Sequence, residues 1–381
     1  MQKTINLLRE FSIPLISGVV IGLIWANVSP DTYHHINESK WLWGLDFHFL
    51  VNDIFMVFFF AMAAIEITKS FLPGGNLNPV RKAINPIMST FGGVIGPAIV
   101  YVTLNYFIGS SDLANGWGIP TATDIALAWL LARFIFGAGH PAVSFLLLLA
   151  IADDGIGLLI IAIFYPDLNN PVAPLWLLLL LAGICIAYML RRFNIRSYWA
   201  YLICGGVPAW AGLFKAHMHP ALALVFIVPF MPWPVKSTGE IFEEVKDDHS
   251  TMASFEHDWK TIVDFGLLFF GISNAGVEFA RISTATWLVF CSLLIGKTFG
   301  IFILGRIGMA MGFPLPDRMD SRSLFVAANV AALGLTVALF VAGQAFTGDV
   351  QGAAKMGALF SAGISMCAIT LSRVLKIEKI E

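Results

Sequence analysis

Apolar positions in this chain seldom alternate with polar ones; they continue unbroken for the length of a membrane crossing. Twelve such runs can be read, at approximately 11–28, 50–68, 84–108, 118–136, 142–165, 173–190, 198–214, 220–233, 260–275, 284–305, 322–346 and 353–372. A helix crosses the ~30 Å hydrocarbon core with about 20 apolar residues. The pattern therefore predicts an all-α membrane protein with about 12 transmembrane helices. The eighth run is short and proline-rich (Pro220, Pro229, Pro232, Pro234). The one extended hydrophilic loop, about 234–259, follows it, and no soluble domain is large enough to stand alone. Residues 1–381 thus read as a single transmembrane domain. The first run follows Lys3 and Arg9 without an A-x-A-like cleavage site, so it reads as a span and not a removed signal.

The polar exceptions inside the runs carry the chemistry. Asp153 and Asp154 are adjacent within Val143 to Tyr165, and Asp124 and Lys297 interrupt two other runs. Facing lipid, four such residues would cost on the order of 10–14 kcal/mol. They must face one another, or water and an ion. Adjacent helical residues point about 100° apart, so one acid can meet a partner while the other faces a cavity. A salt bridge to Lys297 alone would leave two carboxylates unmatched. Burial disfavours charge on every member while pairing favours it. Such a cluster can exchange protons near neutral pH and offers oxygen ligands to a hard cation, so proton and cation compete for one site.

Asp124 ends the stretch Gly116-Trp-Gly118-Ile-Pro120-Thr121-Ala-Thr123-Asp124. Pro120 lacks an amide proton and disfavours helix at Ile119, while Thr121, Thr123 and Asp124 are good N-caps. One reading is a helix break within the membrane, tolerated only where backbone is buried in protein or lines a cavity. The other is a helix that begins near Pro120, with Asp124 capping it close to the surface. Glycines in Gly92-Gly93-x-x-Gly96 and Gly296-x-x-x-Gly300 allow close helix packing, the second pair flanking Lys297.

Composition narrows the remaining choices. The chain is 57% apolar and 13% charged, against about 25% charged in soluble domains. A net charge of −2 gives no sign of a nucleic-acid partner. Cys185, Cys204, Cys291 and Cys367 lack metal-ligand spacing and read as small hydrophobes. His217-Met-His219 has no third ligand nearby and reads as interfacial. No phosphate-cradling motif is present, and no cofactor is called for. Lys and Arg crowd the side shared by both termini, leaving Lys40, Lys215, Arg281 and Lys355 on the other. That bias places both termini in the cytoplasm.

Three segments carry a resemblance. Gly116 through Asp124-Ile-Ala, Ala152-Asp-Asp154 and Leu294-Ile-Gly-Lys297 resemble the signatures of the NhaA family of sodium/proton antiporters. Asn52-Asp53 through Glu66, Phe269 to Val277, and Gly334-Leu-Thr336 match in order, over nearly the whole chain. The resemblance implies an inverted-repeat fold with discontinuous helices 4 and 11 and a midplane site. It implies that Asp154 binds cation, with Asp153 exchanging protons and pairing with Lys297. It implies that Asp124 balances positive half-helix ends beside Pro120, and that Thr123 adds an oxygen. Gly334 and Thr336 match the second break, although Ala332 stands where the family has a further glycine. Glu66 matches a pH-sensing acid, while Ser70 replaces the acid one turn later. The loop Glu240 to His249, followed by Glu256, His257 and Asp258, reads either as acids and histidines that titrate near neutral pH or as a plain solvated loop. A homodimer is also implied, yet the segment Trp41 to Asn52 is shorter than the family's outer hairpin.

The expected activity is an electrogenic, pH-regulated exchange of Na⁺ or Li⁺ for H⁺ across a bacterial inner membrane, with Na⁺ on Asp154 and Asp153. Two rivals share some of these features. A proton-coupled solute symporter needs a larger polar site than is visible. An intramembrane aspartyl protease needs Tyr-Asp and Gly-x-Gly-Asp, and would leave Lys297 unused.

Overall fold

The computed structural model describes residues 12–40, 44–72, 80–166, 171–233, 250–316 and 318–380. Among these residues there is no strand, only one isolated bridge between Lys40 and Asp46. The first helices are α1 (Ile13–Val28), α2 (Pro30–Glu38), α3 (Phe47–Phe71), α4 (Val80–Ile108), α5 (Ser111–Thr121, tightly wound) and α6 (Ile125–Phe136). Next come α7 (Pro141–Phe164), α8 (Pro174–Arg192), α9 (198–215) and α10 (Pro220–Phe230). The last are α11 (Thr251–Ala275), α12 (Thr284–Ala310), α13 (Ser321–Ala331), α14 (Thr336–Ala345) and α15 (Gly348–Val374).

Six helices, α3, α4, α7, α8, α12 and α15, are long and apolar enough to cross a bilayer. Counting each of the pairs α5–α6 and α13–α14 as one bent span brings the number to eight. Phe107, Leu175, Phe193 and Met366 are 74–75% exposed. Lipid, as apolar as these side chains, leaves them no penalty. α4 and α12 meet backbone to backbone. A Cβ on Gly92 would fall 2.1 Å from the Gly300 carbonyl oxygen, and one on Gly96 would fall 2.3 Å from that of Gly296. No side chain separates the two backbones there, and this contact presses Lys297 into the core.

Two expectations need correction. The hydrophilic loop expected over about 234–259 ends sooner, because α11 starts at Thr251. The Ser250 hydroxyl accepts from the Ala253 amide at 3.2 Å, and Thr251, Met252 and Phe255 give the first turns a buried face. Glu256, His257 and Asp258 are therefore helical; residues 240–249 lie outside the described residues, as do 41–43 of the Trp41 to Asn52 segment. Lys355, expected among the residues of the outer side, is only 6% exposed. The last helix begins at Gly348 and not near 353, which draws Lys355 two turns inside.

Candidate ion-binding site

Two interruptions of helix meet in the core. Between Thr121 and Ile125 the chain bends by 53°, and between Ala331 and Thr336 by 50°. Pro120 lies in the last turn of α5, and Ala122 and Asp124 have extended backbone. The two segments cross in contact: the Asp124 amide donates to the Leu333 carbonyl at 2.7 Å. Gly334 makes the crossing possible, since a Cβ there would fall 2.8 Å from the Ala122 carbonyl oxygen. The Ser361 hydroxyl binds Gly334 from the far side, 3.3 Å from its amide and 3.2 Å from its carbonyl.

Four helix ends meet at these two bends, and buried side chains satisfy several of them. The Asp124 carboxylate lies between two helix N-termini. Its Oδ1 accepts from the Leu127 amide of α6 at 3.1 Å. Its Oδ2 accepts from the Thr336 amide at 3.3 Å and the Thr336 hydroxyl at 3.1 Å, at the start of α14. Each N-terminus carries roughly half a positive charge, so a carboxylate there is stabilised twice. At the opposite pole, Lys297 Nζ donates to the Thr121 carbonyl at the C-terminal end of α5, 2.5 Å away.

Lys297 and Asp153 form an ion pair with Nζ–Oδ2 at 2.6 Å, both side chains 0% exposed. Lys297 closes a π-helical turn, Ser292–Lys297, within α12. The Thr123 hydroxyl lies 2.6 Å from the same Asp153 oxygen and 2.9 Å from the Ala331 carbonyl. With one proton to donate, it satisfies one of the two at a time. Asp154 faces elsewhere and is 7% exposed. The Oδ1 atoms of Asp153 and Asp154 are buried and without a hydrogen-bond partner. Leaving such an atom unsatisfied costs about 1–3 kcal/mol, and an ion or water is among the ordinary reasons for finding one.

Asp124, Asp153, Asp154, Thr123, Lys297, Pro120, Gly334 and Thr336 thus share one neighbourhood. Glu66 sits a helix away on α3, half-buried, interacting electrostatically with Lys260, Glu256, Lys69 and Asp264 and with Asp154. Lys69 itself pairs with Glu256 of α11. His257 is exposed on α11, apart from the acids. His217 Nδ1 donates to the Pro171 carbonyl at 2.8 Å, and no group of three metal-ligating side chains occurs among the described residues.

Sequence reasoning missed several members. The carbonyls of Thr121 and Ala331 carry no signal in residue type. Asn329, buried on α13, donates from Nδ2 to the Thr298 hydroxyl at 3.3 Å. A second buried polar chain runs from Lys355 Nζ to Asn274 Oδ1 (3.4 Å) and from Asn274 Nδ2 to Asn52 Oδ1 (3.0 Å). Its signal was a lone lysine among the small residues of Gly-Ala-Ala-Lys-Met-Gly-Ala.

Known proteins resemble both the sequence and the fold. Residues 3–372 match the family model described as Na+/H+ antiporter 1. The Na(+)/H(+) antiporter NhaA of Geobacter sulfurreducens is 61% identical over 381 residues, covering all of both chains. That of Desulfitobacterium hafniense is 62% identical, covering all of this chain and 98% of its own. Among solved structures, the sodium proton antiporter MjNhaP1 of Methanocaldococcus jannaschii aligns with a TM-score of 0.57. The alignment covers 96% of this chain and 92% of that one, and at 15% identity it speaks for the fold alone. With a family model over nearly its whole length and relatives above 60% identity, the chain belongs to the NhaA family of Na⁺/H⁺ antiporters.

Proposed function

We propose that this protein exports Na⁺, and Li⁺ equally well in kind, in exchange for protons moving inward. It is a transporter and not an enzyme. The observation that carries the reading is the pairing of unlike neighbours: Asp153 tied to Lys297, and Asp154 beside it with a buried, unpartnered oxygen. A Na⁺ or Li⁺ ion reaching Asp154 finds a hard oxygen ligand, and its charge competes with the Lys297 ammonium for Asp153. Cation binding loosens that pair and releases protons from the cluster; protonation restores it and expels the cation. Asp154 gives up one proton and the Asp153–Lys297 pair another for each cation bound, so more than one proton moves per ion and the cycle is electrogenic. Thr123 supplies a third oxygen, and Asp124 stays fixed as the counter-charge to two helix ends.

The reading counts the twelve apolar runs as spans, with helices 4 and 11 interrupted at 122–124 and 332–335. In an inverted repeat the two interruptions run antiparallel, and alternating access exposes their crossing to one face and then the other. The cluster of Glu66, Lys69, Glu256, Lys260 and Asp264, with exposed His257 close by in sequence, supports regulation by pH from the side that carries most Lys and Arg. That side is the cytoplasm, with both termini on it and the bacterial inner membrane around the spans.

The test uses purified protein in liposomes with an imposed pH gradient and a pH-sensitive dye. Na⁺ or Li⁺ should collapse the gradient, and Asp154→Asn should abolish the response. A wild-type protein that ignores both cations across the pH range defeats the reading.

A further inference from the structure

Asn329 places a buried oxygen beside this site with nothing to bind. The residue is 3% exposed, on α13 one turn before the break. Its Nδ2 is held by Thr298, the residue after Lys297, while its Oδ1 has no partner. Among the described residues, the other buried side-chain oxygens in this condition are those of Asp153, Asp154 and Asn105, the last near the end of α4. Three of the four thus belong to the region where α13 packs against α12 and α7. The carbonyls just after Asn329 are already committed, Ala331 to Thr123 and Leu333 to Asp124. Among the side-chain oxygens of this half-helix, the Asn329 amide oxygen is the buried one without a partner.

We propose that Asn329 Oδ1 is a cation ligand on the α13 approach to the carboxylates, holding Na⁺ before it passes to Asp154. An amide oxygen is among the hard ligands that small cations accept. Unlike a carboxylate it binds no proton in the working pH range, so it adds cation affinity without joining the competition between Na⁺ and H⁺. The Thr298 hydroxyl accepts from the NH₂ and leaves the oxygen free for an ion. The proposal rests on the antiport reading and gives it a ligand that the carboxylates alone do not provide.

The Na⁺ dependence of exchange, measured in proteoliposomes at several pH values, tests it. Asn329→Ala and Asn329→Leu should each raise the KM for Na⁺ about 3- to 10-fold, the worth of one modest contact. The factor should be the same at every pH, with the maximal rate within about two-fold. Thr298→Val removes the clasp but keeps the oxygen, and should leave KM within about two-fold. An unchanged KM in the Asn329 variants overturns the proposal, as does a loss of maximal rate alone. So does a Thr298→Val protein whose KM rises as far, because Asn329 would then be only a bond between two helices. If one Asn329 variant fails to insert, the other carries the test. Failure of the wild type to exchange Na⁺ at all would sink the antiport reading; active wild type with unchanged variants sinks only this one.

Discussion

Two lysines are buried among the described residues, and their surroundings differ in kind. Lys297 donates to a carboxylate at 2.6 Å and to a helix-terminal carbonyl at 2.5 Å. Lys355 reaches one neutral amide oxygen at 3.4 Å, and among the described residues no carboxylate lies within ion-pair distance. That amide is in turn occupied, Asn274 Nδ2 donating to Asn52 Oδ1 and to the Phe270 carbonyl. Lys297 is therefore part of a charge balance that, in the proposed exchange, an arriving cation upsets. Lys355 belongs to a chain of neutral groups joining α15, α11 and α3, where nothing competes for it. Burial alone does not mark a working charge; burial beside an opposite charge that has a second suitor does.

The largest expected effect comes from removing the paired lysine. Lys297→Met leaves Asp153 buried without its ammonium, and breaking a buried pair from one side costs about 3–5 kcal/mol. Thermal unfolding in detergent should show the loss at neutral pH, together with loss of Na⁺-dependent exchange. A variant as stable as the wild type would mean that Thr123 and water suffice for Asp153, and the comparison would break. The reverse sign is expected for Lys355→Met. Replacing buried charge by a well-packed apolar side chain is commonly neutral or stabilising, by about 1–4 kcal/mol. The same unfolding measurement decides it, and a clear loss of stability would reveal an anionic partner for Lys355.

How the two lysines looked in the sequence shows what was legible there. Lys297 stood in a long apolar run between Gly296 and Gly300, and three acids in other runs needed a counter-charge. Lys355 was assigned to the outer side because its run was started five residues late; the small residues from Gly352 onward are too weakly apolar to announce a helix that begins at Gly348. The same physics explains the site. Pro120 and the hydroxyl-rich Thr121 to Asp124 announced the first bend, since proline and capping side chains act locally. The second bend has only Gly334, and its reason is a backbone approach from Ala122, 212 positions upstream. Contacts made by carbonyls, such as Thr121 to Lys297, leave no trace in residue identity. The start of α11 was missed because Glu256, His257 and Asp258 read as loop, whereas a helix can carry charge on one face while Met252 and Phe255 bury the other.

The smallest effect belongs to a charge that is paired but solvated, and it sets the scale for the other two. Asp320 caps α13, the half-helix that leads to the second bend, accepting from the Ser323 amide at 2.7 Å and its hydroxyl at 2.8 Å. Partial burial pushes its carboxyl upward, but the Ser323 bonds, the Arg322 amide and the Arg322 charge outweigh that and hold its pKa below the usual range. A carboxylate so held stabilises the fold above its unfolded pKa, near 4, and the contribution is lost as pH falls through the lower, folded value. Asp320→Ala should cost about 1 kcal/mol at neutral pH, the ordinary worth of an N-cap. The gap to wild type should stay constant from pH 8 down to about 5 and close only in more acid solution. Unfolding curves of the two proteins over that range measure the gap. If it instead closed near neutral pH, the cap would be coupled to a group titrating there. A helix of the proposed ion site would then answer to the pH of the solution, and the line drawn between working and idle charges would have to be moved outward to include Asp320.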